Sequence, residues 1–211
     1  MIYTVATQLD VIYNKFLSQI DDIELSLLRD SDLEDILMDY LENATVEFRE
    51  CKKDLTIHKP FENEYEFSGT SFSIKTLFNE HTNLAVRDGM TKLRKDIDYF
   101  IEYDKTLSEL KIELKSAPKN RAKIEISSDG SIEADLTLEE IYILALCMRL
   151  FWLNPKIHRE ENLRQMMNDR DFSQLSNANM LKALLQLHTS TRQELQKFKQ
   201  RYAMKDFQGL D

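Results

Sequence analysis

Histidine and cysteine are the side chains of this chain best suited to bind a metal or act as nucleophiles, and their spacing matches neither kind of motif. The four histidines are His58, His81, His158 and His188, and none stands at metal-ligand spacing from another His or Cys. Two acids follow His158, but a zinc helix of the HExxH type needs its second His where Asn162 stands. The sequence therefore predicts no metal site.

Motifs for phosphate binding and acyl transfer are also absent from the sequence. It contains no GxGxxG, no Walker loop and no GxSxG. Paired acids occur at Asp21–Asp22 and Glu139–Glu140, but these stand in a link and at a predicted helix start, where the helix dipole favours acids. We therefore expect that the chain is not an enzyme and needs no cofactor.

The two cysteines, Cys51 and Cys147, lie within helical patterns and form no CxxC motif. The first ten residues, MIYTVATQLD, lack the basic region and the apolar run of a secretory leader. Two buried thiols in a reducing compartment are therefore expected. A disulfide between them stays open on count alone.

Composition favours long helices, and the charge pattern disfavours general nucleic-acid binding. Only 4 Gly and 3 Pro occur in 211 residues, so few residues would interrupt a helix. Net charge is −9, with 13 acids and 6 bases in residues 1–60 but 9 acids and 11 bases in residues 136–211. Broad contact with phosphates needs a basic face. The acidic N-terminal third would suit a surface that must not adhere to nucleic acid, although a plain solvated face is the commoner explanation.

Residues 135–155, DLTLEEIYILALCMRLFWLNP, are predicted to form the central helix of the protein. Thr137 and Glu140 have the spacing of a capping box, which satisfies two backbone amides at a helix start, and the helix is expected to end at Pro155. The apolar residues between them point to every side, as in a helix at the centre of a core. The charged residues leave an apolar run too short to cross a bilayer, so no membrane contact is expected. Six side chains should be buried: Ile141, Leu144, Leu146, Met148, Phe151 and Leu153.

Two amphipathic patterns predict helices before this stretch. One helix of about 15 residues should start near Thr4 or Thr7. A second should start at a capping box formed by Ser31 and Glu34 and run to about Lys53. The two could pack as an antiparallel pair.

Two further helices are predicted after Pro155. A short one is expected at 158–169. The last should start at Ser176 or Asn177 and run to about Ala203, a length near 40 Å at about 1.5 Å per residue. Its apolar stripe has a seven-residue spacing, which is typical of packed amphipathic helices.

Between these helical segments the pattern changes to alternation and turn signals. The predicted elements are a strand at 65–74, a helix from Asn83 to Ile101, strands at 109–114 and 122–126, and a hairpin over 121–135 that turns at Ser128–Gly130. The predicted fold is therefore mainly α. It has a helical bundle core formed by residues 1–60 and 136–211, and a mixed α/β insertion at 61–135 that contains the hairpin.

The predicted helices offer more apolar surface than one small bundle would hide, and the excess is expected to enter subunit interfaces. Phe151 and Trp152 are either core residues, which is the commoner outcome, or interface anchors, since Trp is enriched in such anchors. The candidate interface residues are Phe151, Trp152, Leu181, Leu184, Leu195, Phe198, Arg201 and Tyr202.

Two blocks of the chain resemble head-to-tail connector (adaptor) proteins of long-tailed bacteriophages. The C-terminal block consists of DLTLEEIYILALCMRLFWLNP at 135–155, ENLRQ at 161–165, DFSQLSNAN at 171–179 and MLKALLQL at 180–187. The N-terminal block consists of IYNKFLSQI at 12–20, LEDILMDYLENA at 33–44 and VEFRECKKDL at 46–55. Residues 61–135 are much longer than the short link of that family, so the resemblance implies no role for them.

The resemblance implies a virion protein, made in the host cytoplasm, that forms a ring of copies, a dodecamer, beneath the portal of the phage neck. The ring would join the portal to the next neck or tail ring protein, and DNA would pass through its lumen only as cargo. The basic-tipped C-terminal helix is the expected element for docking into the portal. Two other classes stay open: a helical scaffolding or regulatory protein that binds a partner without forming a ring, and a nucleic-acid-binding protein that uses the C-terminal helix.

Overall fold

A computed structural model of the protein describes residues 6–119, 121–166 and 173–205. In this part of the chain the helices are α1 Leu9–Leu17, α2 Ile23–Ser26, α3 Asp30–Glu47, α4 Leu138–Met166 and α5 Ser173–Lys205. The strands are β1 Thr7–Gln8, β2 Ile57–His58, β3 Phe61–Phe67, β4 Ser71–Lys75, β5 Thr82–Asp88, β6 Thr91–Lys92, β7 Tyr99–Asp104, β8 Glu109–Leu114, β9 Ala122–Ser128 and β10 Ser131–Ile132.

The described residues form two compact units. The β unit combines the residues up to Leu9 with Asp54–Asp135, and the helical unit combines Asp10–Lys53 with the residues from Leu136 onward. Helix accounts for 46% of the structure and strand for 26%, in three antiparallel sheets. The prediction of a mainly α fold with a helical bundle core is therefore wrong, and the fold is α/β. The difference arises at 57–104, where six strands lie and the sequence predicted one strand and one helix.

Helix α4 is the most buried element of the helical unit. Residues 143–148 are all fully buried, and α4 contacts both α3 and α5. Burial of Ile141, Leu144, Leu146, Met148 and Leu153 is confirmed, whereas Phe151 is half-buried. Removal of this apolar surface from water, at about 25 cal/mol per Å², is the main stabilising contribution of such a helix.

Pro155 does not end α4, so the prediction of a separate helix at 158–169 is wrong. The helix runs on to Met166, and residues 167–169 lie outside the described part. A proline inside a helix removes one backbone hydrogen bond and crowds the carbonyl four residues earlier. Here Leu153 and Ile157 are buried on either side of it. This burial offsets the lost hydrogen bond, and the helix stays continuous.

One of the two predicted capping boxes forms. At the start of α4 the backbone N–H of Thr137 donates to Glu140 Oε2 at 2.6 Å, and the N–H of Glu140 donates to Thr137 Oγ1 at 3.3 Å. At α3 the N-cap is Arg29, which makes no capping hydrogen bond through its side chain. The pair Ser31 and Glu34 therefore lies inside the helix rather than at its boundary, and that prediction is wrong.

Other helix ends also differ from the prediction. Helix α1 begins at Leu9 because the two residues before it pair with β10; the alternative start near residue 4 lies outside the described part. Helix α3 ends at Glu47 because the backbone leaves the helical region at the next residue. Helix α5 begins at Ser173, so the predicted caps Ser176 and Asn177 lie within it, and their side chains are outside the described part.

The β unit is built from antiparallel sheets with strand orders β3-β9-β5-β6, β4-β8-β7 and β1-β10-β2. The first two share one apolar core, in which Ile124 of β9 and Leu110 and Ile112 of β8 are fully buried. Side chains alternate between this core and solvent along both strands. The strands predicted at 109–114 and 122–126 are confirmed, whereas the predicted strand at 65–74 is two strands, β3 and β4, in different sheets.

The helix predicted from Asn83 to Ile101 is wrong, because β5, β6 and β7 occupy that range. Apolar residues three and four positions apart suggested a helix, but Met90 and Ile97 of that stripe lie outside the strands and are exposed. Val86 is fully buried in the core and stands opposite Ile124 in the sheet. Gly89, with a φ of +60°, then turns the chain into β6. Pairing with a distant strand decides the structure here.

Gly130 takes the chain from one sheet to another instead of closing a hairpin. Strand β9 pairs with β3 and β5, whereas β10, just after the turn, pairs with β1 and β2. The turn lies where it was predicted, but the hairpin over 121–135 is wrong. Gly130 has a φ of +84°, and a Cβ there would lie 2.7 Å from Leu9 Cδ1 and 3.0 Å from the carbonyl oxygen of His58. Any larger residue would be strained at this position.

Candidate functional site

Trp152 is an internal anchor of the helical unit. Its side chain is buried, and its Nε1 donates to Asp22 Oδ2 at 2.6 Å. Lys156 Nζ lies 3.0 Å from the same oxygen and 5.2 Å from the centre of the Trp152 ring. Asp22 also caps α2, because it accepts a hydrogen bond from the N–H of Glu24 at 3.0 Å. Trp152 therefore positions α2 and is not exposed for contact with another subunit.

The ionised form of Asp22 is stabilised by these contacts. Burial by itself raises the pKa of Asp22, but hydrogen bonds from Trp152 and Lys156 outweigh it and hold the pKa below its ordinary value. Glu24, which accepts from Arg159 Nη1 at 2.8 Å, adds a second tie between α2 and α4. The short helix α2 is thus fixed to α4 through polar contacts at physiological pH.

The leucines of the predicted α5 interface are already covered within the chain. Leu181, Leu184 and Leu195 are 6%, 7% and 2% exposed. Phe198 is half-buried, and its ring packs edge-on against Tyr142 at 4.9 Å between centroids. These four residues stabilise the helical unit, because α5 packs along α4.

The remaining candidates, Phe151, Arg201 and Tyr202, lie in three different settings: Phe151 shares a groove with Leu195, Arg201 lies over the Phe198 ring, and Tyr202 binds Glu140. Phe151 is half-buried and lines a groove together with Leu150 and His188. Arg201 is exposed, and its Nη2 donates to Glu139 Oε1 at 2.9 Å.

Tyr202 belongs to a buried polar cluster around Glu140, which is 2% exposed. The Tyr202 hydroxyl donates to Glu140 Oε1 at 2.7 Å, and Lys53 Nζ donates to Oε2 at 2.7 Å. Burial raises the pKa of Glu140, but the hydrogen bonds that it accepts, chiefly from Lys53, hold the pKa below its ordinary value. Burial and the bond to Glu140 raise the pKa of Tyr202. The cluster joins the start of α4, the end of α5 and the segment after α3.

Both cysteines are free thiols, so the open alternative of a disulfide is not what the structure contains. Cys147 is fully buried on α4, and burial raises the pKa of its thiol to about 12. Cys51 is half-buried, and its Sγ lies 3.8 Å from the hydroxyl of Tyr202. The expectation of two buried thiols therefore fails for Cys51. The raised pKa of Cys147 disfavours a reactive thiolate at that position.

The β unit contains a cluster of titratable groups around Glu133. His58 Nε2 lies 2.8 Å from Glu133 Oε2, and Lys105 Nζ lies 2.9 Å from Oε1. The hydrogen bond from Lys105 is the largest cause that lowers the pKa of this carboxyl. No group of three or more His, Cys, Asp or Glu suited to a metal ion occurs in the described part of the chain. Likewise, no helix there is long and apolar enough to cross a membrane.

An apolar groove of about 650 Å³ lies between α1, the start of α4 and the end of α5. Val11 and Leu138 on its surface are 44% and 84% exposed. Its apolar lining consists of Val11, Leu138, Ile141, Tyr142 and Phe198. Two cations flank it: Lys15 lies 5.1 Å from the Tyr142 ring and Arg201 lies 4.6 Å from the Phe198 ring.

A second apolar patch is formed by Ile23 of α2 and Leu27, the residue that directly follows this helix. Ile23 and Leu27 are 72% and 80% exposed, although the acids beside them are tied to α4. The two residues are four positions apart on one turn and share a face. Sequence reasoning missed this patch because the segment was read as a polar link. The signal that could have found it is the pair of apolar residues four positions apart, Ile23 and Leu27.

Comparisons with protein-family models, with curated proteins and with solved structures found no match for this chain. Its function has therefore to be inferred from its own residues and their arrangement.

Proposed function

We propose that this chain is a non-enzymatic structural protein of a bacteriophage virion. It acts as a head-to-tail connector that forms a ring of copies between the portal and the next neck or tail protein, and DNA passes through its lumen. The main support is that the two connector-like blocks, which strands β2 to β10 separate in sequence, together supply residues of α1, α3, α4 and α5 in one compact unit. Two blocks that fold into one compact unit can share one evolutionary origin and one role.

The chemistry of the helical unit supports a structural role. Its buried charged groups, Glu140 and Asp22, bind other groups of the same unit. At the same time two apolar patches, around Leu138 and Leu27, stay exposed on it. Exposed apolar patches on soluble proteins commonly mark contact surfaces. A unit whose buried charges bind groups of the same unit, and whose surface carries such patches, is suited to assembly with other protein subunits.

The charge of the chain supports passage of DNA without tight binding. Residues 1–60 hold 13 acids and 6 bases. Phosphate-backbone binding is driven by release of counterions from basic surfaces, and an acidic wall opposes it. The basic end of α5 is the element that we propose to dock against the portal, since Arg192 and Lys197 on it are exposed.

The decisive experiment is to measure the number of copies of this chain in purified virions of the phage that encodes it, and its binding to the assembled portal. Several copies per virion and retention on the portal are expected. Absence from virions together with no portal binding would overturn the proposal. A chain that is present in virions but never as a multimer would favour a scaffolding or regulatory protein instead.

The docking role of α5 needs substitutions rather than truncation. A chain that ends near Ser190 would lose Leu195, which is 2% exposed, and Tyr202, which binds Glu140. Its failure to bind would then reflect loss of fold. Charge reversal at the exposed Arg192 and Lys197 should weaken portal retention while circular dichroism stays unchanged. Reversal at Lys182, an exposed base far from the C-terminal end of α5, is the matched control.

A further inference from the structure

We propose that the apolar groove beside Leu138 receives the α2 turn of a second copy of this chain, so that Ile23 and Leu27 of one protomer seat in the groove of the next. This inference rests on the proposed ring and names the two surfaces that would form it.

The two surfaces are complementary in polarity. The groove has an apolar lining, and the patch is a pair of exposed apolar side chains, Ile23 and Leu27. Leu138 is 84% exposed in the single chain, which is a large apolar area for one side chain to leave in water. Contact between groove and patch would remove both areas from water.

The two surfaces are also complementary in charge. The charged residues that line the groove are Lys15, Arg201 and Glu139, and Glu139 is paired with Arg201 and also with Lys205. The patch lies in residues 21–35, which hold seven acids and one base. Lys156 and Arg159 of α4 neutralise part of this charge, and an acidic excess remains. Such complementarity favours the correct pairing and orientation.

The positions of the surfaces exclude contact within one molecule. The groove lies at Leu138–Tyr142 of α4, whereas the patch is tied to α4 at Trp152 and Lys156. Fourteen residues of helix, from 138 to 152, span about 21 Å at 1.5 Å per residue. A surface that pairs with a different surface of the next copy gives a head-to-tail contact, and such contacts close into a ring when the rotation between copies permits.

Disulfide trapping tests the contact directly, because it detects weak association. In a Cys51→Ser background, which leaves only the buried Cys147, chains with Leu27→Cys and chains with Leu138→Cys are mixed at high concentration under mild oxidation. Both positions are exposed, so folding should survive. Heterodimers are expected in the mixture. A chain with both substitutions should give a ladder of oligomers, because head-to-tail contacts propagate.

Leu185→Cys is the control, since Leu185 is 42% exposed on α5 and belongs to neither surface. Trapping of Leu27→Cys with Leu138→Cys no faster than with Leu185→Cys would overturn the inference. Preferential trapping of Leu27→Cys with itself would also overturn it, because that contact is symmetric. In sedimentation, Leu138→Glu should weaken self-association by about tenfold or more, because a carboxylate must then be desolvated, and Leu185→Glu should not.

The outcomes separate this inference from the proposed function. If no ladder forms while the chain still binds the portal, the contact is wrong and the connector role stands. If Leu138→Glu then abolishes portal binding, the groove receives the portal and not a second copy. If the ladder forms but the chain is absent from virions, the head-to-tail contact stands and the connector role is wrong.

Discussion

The helical unit and the β unit use charged side chains in different ways. In the helical unit Glu140 is 2% exposed and accepts hydrogen bonds from Lys53, Thr137 and Tyr202. In the β unit the charged pairs keep more contact with solvent: Lys123 and Glu64 are 37% and 54% exposed, and Glu133 is 22% exposed. Both units have an apolar centre, and the helical unit adds to it a buried carboxylate that hydrogen-bonds separate parts of the chain. Mutations should therefore affect the two units differently.

The largest effect should come from the apolar centre of the helical unit. Leu144→Ala should lower the free energy of unfolding by about 2–5 kcal/mol, because Leu144 is fully buried and the change leaves a cavity. Denaturant titration measures the change, and hydrogen exchange followed by peptide should place it in α4. The matched control is Leu138→Ala on the same helix, expected to stay within about 0.5 kcal/mol. Equal loss of hydrogen-exchange protection in β9 would show that the two units unfold together. That result would contradict the difference described between them.

Glu140→Gln should have the next largest effect. Loss of charge-assisted hydrogen bonds from Lys53 and Tyr202 should cost about 1.5–3 kcal/mol. Because the pKa of Glu140 is lowered in the folded chain, its contribution is present above the ordinary glutamate pKa of about 4.3 and is lost as pH falls through the lower folded pKa. The variant should therefore lose less stability on acidification than wild type. An unchanged acid dependence of the unfolding free energy would contradict this account.

In the β unit, backbone geometry should matter more than charge. Gly130→Ala should destabilise it by about 1–3 kcal/mol, because the residue has positive φ and a Cβ would press on Leu9. Gly69→Ala is the matched control, since the nearest atom to a Cβ there is at 3.7 Å. Thermal unfolding of both variants measures the difference. Similar unfolding midpoints for the two variants would show that a side chain at position 130 does not strain the turn between β9 and β10.

The smallest effect should come from the surface charges of the β unit. Lys123→Gln removes an ion pair with Glu64 at 2.6 Å, yet it should change the free energy of unfolding little, because solvent screens the exposed pair. Any loss of stability that the Lys123→Gln variant shows should vanish at high salt concentration. A cost as large as that of Glu140→Gln would mean that the two units do not differ in the way described.

Local patterns were sufficient to predict the start of α4 and its buried middle, but not its end. A capping box involves residues three positions apart, and burial of an all-round apolar helix requires no knowledge of its partners, so Thr137, Glu140 and Leu144 were placed correctly. Alternation likewise predicted β8 and β9. The phage-connector role came from resemblance and stays a proposal.

The errors arose where distant residues decide the structure. Residues 82–104 form strands because β9, far along the chain, pairs with β5 and because β7 pairs with β8. Pro155 stays inside α4 because Leu153 and Ile157 are buried by other elements. The same holds for contact surfaces: Trp152 is hidden by its bond to Asp22, while Leu138 and Leu27 are left exposed. The spacing of apolar residues along the chain predicts which face of a helix or strand is apolar. Whether that face is buried depends on packing against elements that are remote in sequence.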